Sequence, residues 1–325
     1  MTNTSTLPGW IARAATLTSL LVTAYAAVAG DDLIGLDGNT SQYTGFTNQS
    51  SIVNTRHNLT QNTLAGLLGG AANMNASRNN YGEVCVYCHT PHGANANVSV
   101  PLWNRSIPAT TYQTYDQLGT NVQQSYSQPG ASSLPCLSCH DGQQAVDAII
   151  NMPGSGRYNP NPSSAAGAGG DLWTRWDVAG QRSLNHAALR VGNTGQECLS
   201  CHSNPGATAS AVDFTVFAIG TDLRNDHPVG VTYPTTTGGG TDWNTPGGSR
   251  TGGGFTSKFF DDNADGKAQK GEIRLYNTGQ GSEVECGSCH DPHGVPSAGP
   301  GSKFFPTFLR KANTESGVCL TCHAK

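Results

Sequence analysis

Residues 85–89 read Cys85-Val-Tyr-Cys88-His89, a C-x-x-C-H motif from which the rest of the chain can be interpreted. Four further copies follow, as Cys136-Leu-Ser-Cys139-His140, Cys198-Leu-Ser-Cys201-His202, Cys286-Gly-Ser-Cys289-His290 and Cys319-Leu-Thr-Cys322-His323. Together they use all ten cysteines of the 325-residue chain. The spacing is the attachment signature of c-type haem, in which two thiols bind the porphyrin and the histidine binds the iron.

The spacing of the motif suits one turn of helix. Positions i, i+3 and i+4 share a face there, so both thiols and the imidazole converge on one porphyrin. Disulfides give no reason for a histidine after every second cysteine, and zinc sites need none at that position. A thioredoxin-like motif occurs once, beside a βαβ pattern. The sequence therefore predicts five covalent haem c groups.

Five histidines lie outside the motifs, which matches the number of irons. They are His57, His92, His186, His227 and His293, out of ten histidines in the chain. Methionine is the usual competing axial ligand, but the chain has only Met1, Met74 and Met152. We therefore expect two histidine ligands at every iron, with the motif histidines on one face and these five on the other.

His92 and His293 each follow a motif histidine by three residues, in the context His-x-Pro-His-Gly. The two ligands of one iron lie on opposite faces of the porphyrin, and so short a peptide cannot pass around its edge. Each is therefore expected to bind the iron of a neighbouring haem. We assign His92 to the haem of Cys136–Cys139 and His293 to the haem of Cys319–Cys322.

The motifs define a loose internal repeat. A haem pair at 85–140 and another at 286–323 flank the single site at 198–202. Residues 1–29 resemble a secretory signal, with Arg13, an apolar stretch of roughly fifteen residues and an Ala27-Val-Ala29 cleavage site. Residues 30–325 are predicted to form a single pentahaem domain, exported to the cell surface, the extracellular space or the periplasm, with no membrane span in the mature chain.

The composition predicts a multihaem cytochrome c fold of mostly irregular coil, with short helices and few short strands around a row of five haems. Glycine supplies 41 residues, and charged residues make up only 12% of the chain. Apolar periodicity is weak. Short helices are expected within Asn54–Asn73 and Ser183–Val191, and a strand over Val212–Ile219. Porphyrins then replace a conventional apolar core, so no stable fold is expected without haem.

The formal net charge of −4 shows no basic footprint for nucleic acid. One acidic segment fits the calcium-loop pattern D-x-N-x-D-G-x5-E. Its candidate Ca²⁺ ligands are Asp261, Asn263, Asp265, Lys267 and Glu272. The flanking Phe259-Phe260 and Ile273-Arg-Leu-Tyr276 favour strands over the helices of an EF-hand. A calcium site and an exposed acidic turn remain alternatives for this segment.

Several segments together resemble the extracellular multihaem cytochromes that polymerise into conductive filaments. They are residues 85–93 with Pro101-Leu-Trp-Asn104, Leu137-Ser-Cys-His-Asp-Gly142, Asn225-Asp-His-Pro228 and the block 286–323. The resemblance covers most of the mature chain through its haem motifs. It implies two histidines per iron, alternating stacked and T-shaped haem contacts, and His92, His227 and His293 as distal ligands. It also implies polymerisation with copies of the same chain.

Other functions stay open at this point. A monomeric periplasmic electron shuttle would have the same motifs. Pentahaem nitrite reductases leave one iron open and typically replace one motif histidine by lysine, whereas all five motifs here end in histidine. We therefore expect an electron carrier and no enzyme, with redox proteins or extracellular minerals as partners. His57, remote from the motifs, is the candidate for binding an iron in a neighbouring subunit.

Overall fold

The computed structural model describes residues 51–55, 57–59, 81, 83–107, 109–119, 124–151, 188–190, 198–201, 203, 215–252, 255–277, 279–295 and 308–324. The predicted signal segment, most of both predicted helices and the candidate ligands His186 and His202 lie outside these residues. Within the ranges given, no helix has the length and apolar character needed to cross a bilayer.

The described α-helices are short, and each carries a C-x-x-C-H motif. They are α1 (Leu134–His140), α2 (Cys198–Cys201), α3 (Cys286–Cys289) and α4 (Cys319–Cys322). Single 3-10 turns occur at Ile52–Asn54, Tyr115–Leu118, Thr215–Phe217 and Thr314–Ser316. Pro135 opens α1, where its missing N–H has no helical partner to lose. The expectation of short helices in irregular coil is confirmed for these residues.

The strand predicted over Val212–Ile219 is wrong in its described part, since Thr215–Phe217 forms a 3-10 turn. The Phe217 carbonyl accepts a hydrogen bond from His140 Nδ1 at 2.6 Å. The Gly220 N–H donates to the His140 carbonyl at 3.0 Å. The segment therefore folds around a motif histidine, which uses backbone groups that a sheet would have needed.

One five-stranded antiparallel sheet lies in the second half of the chain. Its strands are β1 (Val231–Thr232), β2 (Gly248–Gly252), β3 (Phe255–Phe259), β4 (Arg274–Asn277) and β5 (Ser282–Val284), in the order β1-β5-β4-β3-β2. The strands expected on either side of the acidic segment are confirmed as β3 and β4. Gly248 is required in β2 because a Cβ there would come within 2.3 Å of the ring of Phe259.

The sheet positions the fourth motif directly. Strand β5 runs through Glu285 into α3, and Glu285 is the N-cap of that helix. The Glu285 N–H donates to Ser288 Oγ at 2.9 Å, as in a capping box. The carboxylate, 1% exposed, accepts hydrogen bonds from the Gly130 N–H at 3.0 Å and from Ser133 Oγ. Glu285 thus joins α3 to the segment that leads into α1.

Buried apolar residues of the described chain form four small clusters instead of one continuous core. The largest packs Tyr233, Phe260, Ile273 and Leu275 on one side of the sheet, with Cys289 and Cys322 at its edge. Another packs Tyr81, Val86, Tyr87 and Ile149 against Cys88. These two clusters therefore border motif cysteines, as expected if porphyrins complete the core.

Candidate haem-binding sites

The described motifs adopt the predicted helical turn. The N–H of the motif histidine donates to the carbonyl of the first cysteine, at 2.8 Å for His89, 3.0 Å for His290 and 2.9 Å for His323. In the second motif the whole sequence from Cys136 to His140 belongs to α1. The two cysteines and the histidine of each of these motifs therefore share one face, which is the arrangement that a single porphyrin requires.

In three of the motifs, the backbone of the histidine pairs with a residue distant in sequence in the same way. An isolated antiparallel bridge pairs His89 with Trp103, His290 with Leu309, and His323 with Trp243. The residue after each bridging partner then donates its N–H to the carbonyl of the second cysteine. These bonds are Asn104 to Cys88 at 2.8 Å, Arg310 to Cys289 at 2.7 Å and Asn244 to Cys322 at 2.9 Å. The bridge holds each motif histidine at the end of its helical turn.

The Nδ1 atoms of several candidate ligands are occupied by hydrogen bonds to oxygen acceptors. The acceptors are the Pro101 carbonyl for His89 (2.8 Å), the Phe217 carbonyl for His140 (2.6 Å), the Pro292 carbonyl for His57 (3.2 Å), the Pro228 carbonyl for His227 (3.0 Å) and Asp291 Oδ1 for His293 (3.0 Å). A carbonyl only accepts, so Nδ1 carries the proton. Nε2, the atom that would bind iron, is left with a free lone pair.

Two motif histidines face spare histidines. The ring centroids of His89 and His293 are 6.1 Å apart with planes 14° from parallel, and those of His57 and His140 are 6.1 Å apart with planes at 78°. Two imidazoles on opposite sides of one metal, with bonds of about 2 Å and ring centres about 1 Å further out, have centroids about 6 Å apart. These residues therefore fit a haem iron held by two histidines.

Burial favours the neutral imidazole at His57, His89, His140 and His227. It lowers the pKa of His57 to about 4, with further repulsion from His140. Burial is also the largest cause that lowers the pKa of His89, His140 and His227. Repulsion from His323 contributes to the lowered pKa of His227. The neutral imidazole is the form that binds a metal.

The cysteines of different motifs also meet. Cys136 and Cys286 hydrogen-bond each other, which raises the pKa of Cys136 and lowers that of Cys286. Burial raises the pKa of Cys88 to about 12, with Cys139 adding repulsion. The pKa of Cys289 is raised to about 11, mainly by burial, and repulsion from Cys319 also contributes. The first and second motifs, the second and fourth, and the fourth and fifth therefore each contribute a pair of cysteines close enough to interact electrostatically.

Two spare histidines lie beside motif histidines other than those expected from the sequence. His293 faces His89 of the first motif, whereas the sequence assigned it to the haem of Cys319–Cys322. His57, the sequence candidate for a neighbouring subunit, faces His140 of the same chain. Only the fold could bring residues so distant in sequence together. His92 lies on an exposed loop, and its assignment to the haem of Cys136–Cys139 competes with His57.

Gly93 and Gly294 end the two loops in the left-handed region, with φ of 62° and 93°. This confirms that they turn the backbone away after the second histidine.

The acidic segment is an exposed turn whose carboxylates accept hydrogen bonds from its own backbone, and nothing in the described structure supports the calcium alternative. The described residues contain no group of three or more histidine, cysteine or acidic side chains that could hold a metal ion. Asp261 instead accepts from the backbone N–H groups of Asp265 (3.1 Å) and Gly266 (2.7 Å), and Glu272 accepts from Asp262 (3.1 Å). Asn263 and Lys267 belong to the same exposed turn, in which backbone amides use the oxygens that a cation would need.

Sequence reasoning missed two buried arginines behind the motifs. Arg105 is fully buried and donates to Ser138 Oγ (3.1 Å) and to the carbonyls of Ser138 (2.8 Å), Ala145 (2.9 Å) and Val146 (2.9 Å). Arg310 is 6% exposed and donates to the carbonyls of Gly287 (3.1 Å) and Lys270 (2.9 Å) and to Asp291 Oδ2 (3.3 Å). Arginine is seldom buried, so the sequence carries no signal for either.

Comparison with known proteins adds one match. Residues 280–325 match the family described as a doubled CXXCH motif, and these residues contain the motifs at 286–290 and 319–323. No curated protein shows a significant match to the chain. Together with the helical-turn geometry described above, the doubled motif indicates a multihaem c-type cytochrome that binds haem covalently and transfers electrons.

Proposed function

We propose that this chain is an exported pentahaem electron carrier with two histidine ligands at every iron, and that it is the subunit of an extracellular conductive polymer. The observation that carries the proposal is the meeting of motif and spare histidines. The ring of His89 faces that of His293, and the ring of His140 faces that of His57. An iron closed on both faces by imidazole accepts electrons but offers no position for a substrate.

Each haem, when bound, supplies an iron that alternates between the ferric and ferrous states. The chain supplies the rest. Its cysteines fix the porphyrins, its backbone carbonyls orient the imidazoles through Nδ1, and its folded loops bring the attachment sites together. Interactions between cysteines of the first, second, fourth and fifth motifs support a row of haems, because haems attached at nearby cysteines are close neighbours.

Exposure of the motifs supports end-to-end assembly. Cys85 and Cys319 are exposed, whereas the described cysteines of the motifs between them in space are half-buried. Leu320, beside Cys319, is 47% exposed. An outer haem at each end of the row could thus meet a haem of the next copy. A heterologous contact of this kind gives an open filament when its rotation does not close.

Two alternative functions make different predictions. A monomeric periplasmic shuttle would have the same haem sites without assembly, with redox proteins as its partners. A nitrite-reductase-like enzyme would keep one iron open on one face. The paired histidines favour the carrier over the enzyme, and the exposed outer motifs favour the polymer over the shuttle.

The test uses the secreted protein matured in a host that attaches haem c. Intact-mass measurement should give five haems per chain, the ferric protein should be entirely low-spin, and the reduced protein should not bind carbon monoxide. A high-spin ferric signal or carbon monoxide binding in the wild type contradicts the carrier. Electron microscopy should reveal filaments with measurable conductivity. Isolated monomers at all concentrations contradict the polymer but leave the carrier intact.

A further inference from the structure

Residues 290–293 lie where three haem motifs meet. The segment begins with His290 of the fourth motif and ends with His293, whose ring faces His89 of the first. Between them, the Pro292 carbonyl accepts from Nδ1 of His57, whose ring faces His140 of the second motif. Repulsion from His290 and His293 also contributes to the lowered pKa of His57. One short loop therefore contacts the candidate ligands of three sites.

Different groups hold the rings of His293 and His57 beside this loop. Asp291, 7% exposed, accepts from His293 Nδ1 through one oxygen and pairs with Arg310 through the other. His57 stacks on the ring of Phe308, with centroids 4.5 Å apart and planes at 10°. A carboxylate or carbonyl behind a histidine fixes its ring orientation toward a metal. Both rings are thus oriented by groups of the C-terminal half.

We propose that the distal iron ligands are exchanged between distant parts of the chain, with His293 serving the haem of Cys85–Cys88 and His57 serving the haem of Cys136–Cys139. This inference rests on the proposed function, because it requires two histidines per iron. It assigns to the loop at 290–293 the task of tying the first two sites to the fourth. Attachment of the N-terminal haems and folding of the C-terminal half then depend on each other.

The two sites are distinguished by the angle between their imidazole planes. Near-parallel rings, at 14° for His89 and His293, overlap the same iron d orbital and split it widely from its partner. Near-perpendicular rings, at 78° for His57 and His140, treat both d orbitals almost alike. The first site gives a rhombic low-spin electron paramagnetic resonance spectrum, and the second gives a highly anisotropic one with a large maximum g value.

The first experiment compares the holoprotein variants His293→Ala and His57→Ala with the wild type. Each variant should change from no carbon monoxide bound per chain to one. His293→Ala should lose a rhombic component of the resonance spectrum, and His57→Ala should lose a highly anisotropic one. His92→Ala should leave both of these components in place. Loss of the opposite component in either variant, or loss of the highly anisotropic component in His92→Ala, would overturn the assignment.

The second experiment locates the opened iron by deleting attachment sites. Cys85→Ser with Cys88→Ser removes the first haem, so adding His293→Ala should then open no further iron. The same His293→Ala change combined with Cys136→Ser and Cys139→Ser should still give one carbon monoxide per chain. His57→Ala should still give one carbon monoxide per chain when the first haem is absent. It should open no further iron when the second haem is absent. Equal carbon monoxide binding in both backgrounds would refute the exchange of ligands.

The outcomes separate this inference from the proposed function. If the wild type itself binds carbon monoxide or has fewer than five haems, the proposed function fails. If the wild type is closed and low-spin but the variants open other irons, only the ligand assignment fails. The single variants remain informative if a deletion variant does not fold, because their spectra are recorded on chains that retain every attachment site.

Discussion

The first motif, at 85–89, and the fourth, at 286–290, are built alike but supported differently. Both have a helical turn, an antiparallel bridge from the motif histidine and a left-handed residue before the bridging partner, Leu102 with φ of 57° or Phe308 with φ of 59°. The fourth motif is the direct continuation of a sheet strand, whereas the described residues before the first, Tyr81 and Glu83, belong to no strand. The same local geometry of a haem motif therefore occurs in two different structural surroundings.

Two buried side chains support the first motif. Asn104 Nδ2 donates to the Val86 carbonyl within the motif at 2.7 Å. The guanidinium of Arg105 joins the segment after the bridge to α1 and to residues 145 and 146. The fourth motif has Arg310 directly after its bridge and, in addition, the sheet and the buried Glu285. The comparison indicates that a motif without a sheet depends more heavily on buried polar side chains.

Arg105→Met should have the largest effect. It removes the side-chain donor to the carbonyls of Ser138 and Val146 and one of the two donors to the Ala145 carbonyl, which keeps its bond from the Ala148 N–H. Each buried acceptor left without a donor costs about 1–3 kcal/mol, so we expect a loss of about 3–5 kcal/mol in the free energy of unfolding. Denaturant unfolding of the holoprotein measures it. The exposed Arg250→Met is the control, with an expected change within about 0.5 kcal/mol. Equal effects of the two changes would contradict the role of Arg105.

The two left-handed residues should respond oppositely to glycine. Leu102 is 52% exposed, so Leu102→Gly relieves backbone strain with little loss of packing and should be neutral or stabilise by up to about 1 kcal/mol. Phe308 is 8% exposed and stacks on His57, so Phe308→Gly should destabilise by about 2–3 kcal/mol despite the same relief. Thermal unfolding of both holoproteins measures the difference. Destabilisation by Leu102→Gly equal to that by Phe308→Gly would show that strain is unimportant.

Glu285→Gln should change how the stability of the protein depends on pH. Burial raises the pKa of Glu285 to about 7 from 4.5, with Glu283 adding repulsion, so the folded state holds a proton that the unfolded chain releases. Stability from this group is therefore lost as pH rises from about 4.5 to about 7, by about 1–3 kcal/mol. The free energy of unfolding of the variant should not show this decrease over the same pH range. Glu83→Gln, exposed beside the first motif, should leave the pH profile of the free energy of unfolding unchanged.

Calcium should have the smallest effect. Because the oxygens of Asp261 and Glu272 already bond to backbone amides, adding Ca²⁺ or a chelator should leave the unfolding temperature unchanged. Asp265→Ala removes bonds to Lys267 and Gln269 and should lower the unfolding temperature slightly and equally with or without calcium. A rise in the unfolding temperature with Ca²⁺ that Asp265→Ala abolishes would restore the calcium site.

The motif geometry could be predicted because it is local. The helical turn from Cys85 to His89 follows from the spacing of three residues, and the turns at Gly93 and Gly294 follow from the absence of a side chain. Strands β3 and β4 were readable from the apolar flanks of the acidic segment. The Val212–Ile219 strand was wrong because a backbone carbonyl was needed by His140, a residue far away in sequence.

The sequence by itself determined the attachment chemistry and the number of candidate ligands, because C-x-x-C-H acts within five residues and histidines can be counted. Only the tertiary structure decided which histidine faces which motif, since His57 with His140 and His293 with His89 are contacts between distant segments. It also decided the burial of Arg105 and Glu285 and the closure of the acidic turn. These depend on where backbone carbonyls and amides lie after folding, which local spacing does not specify.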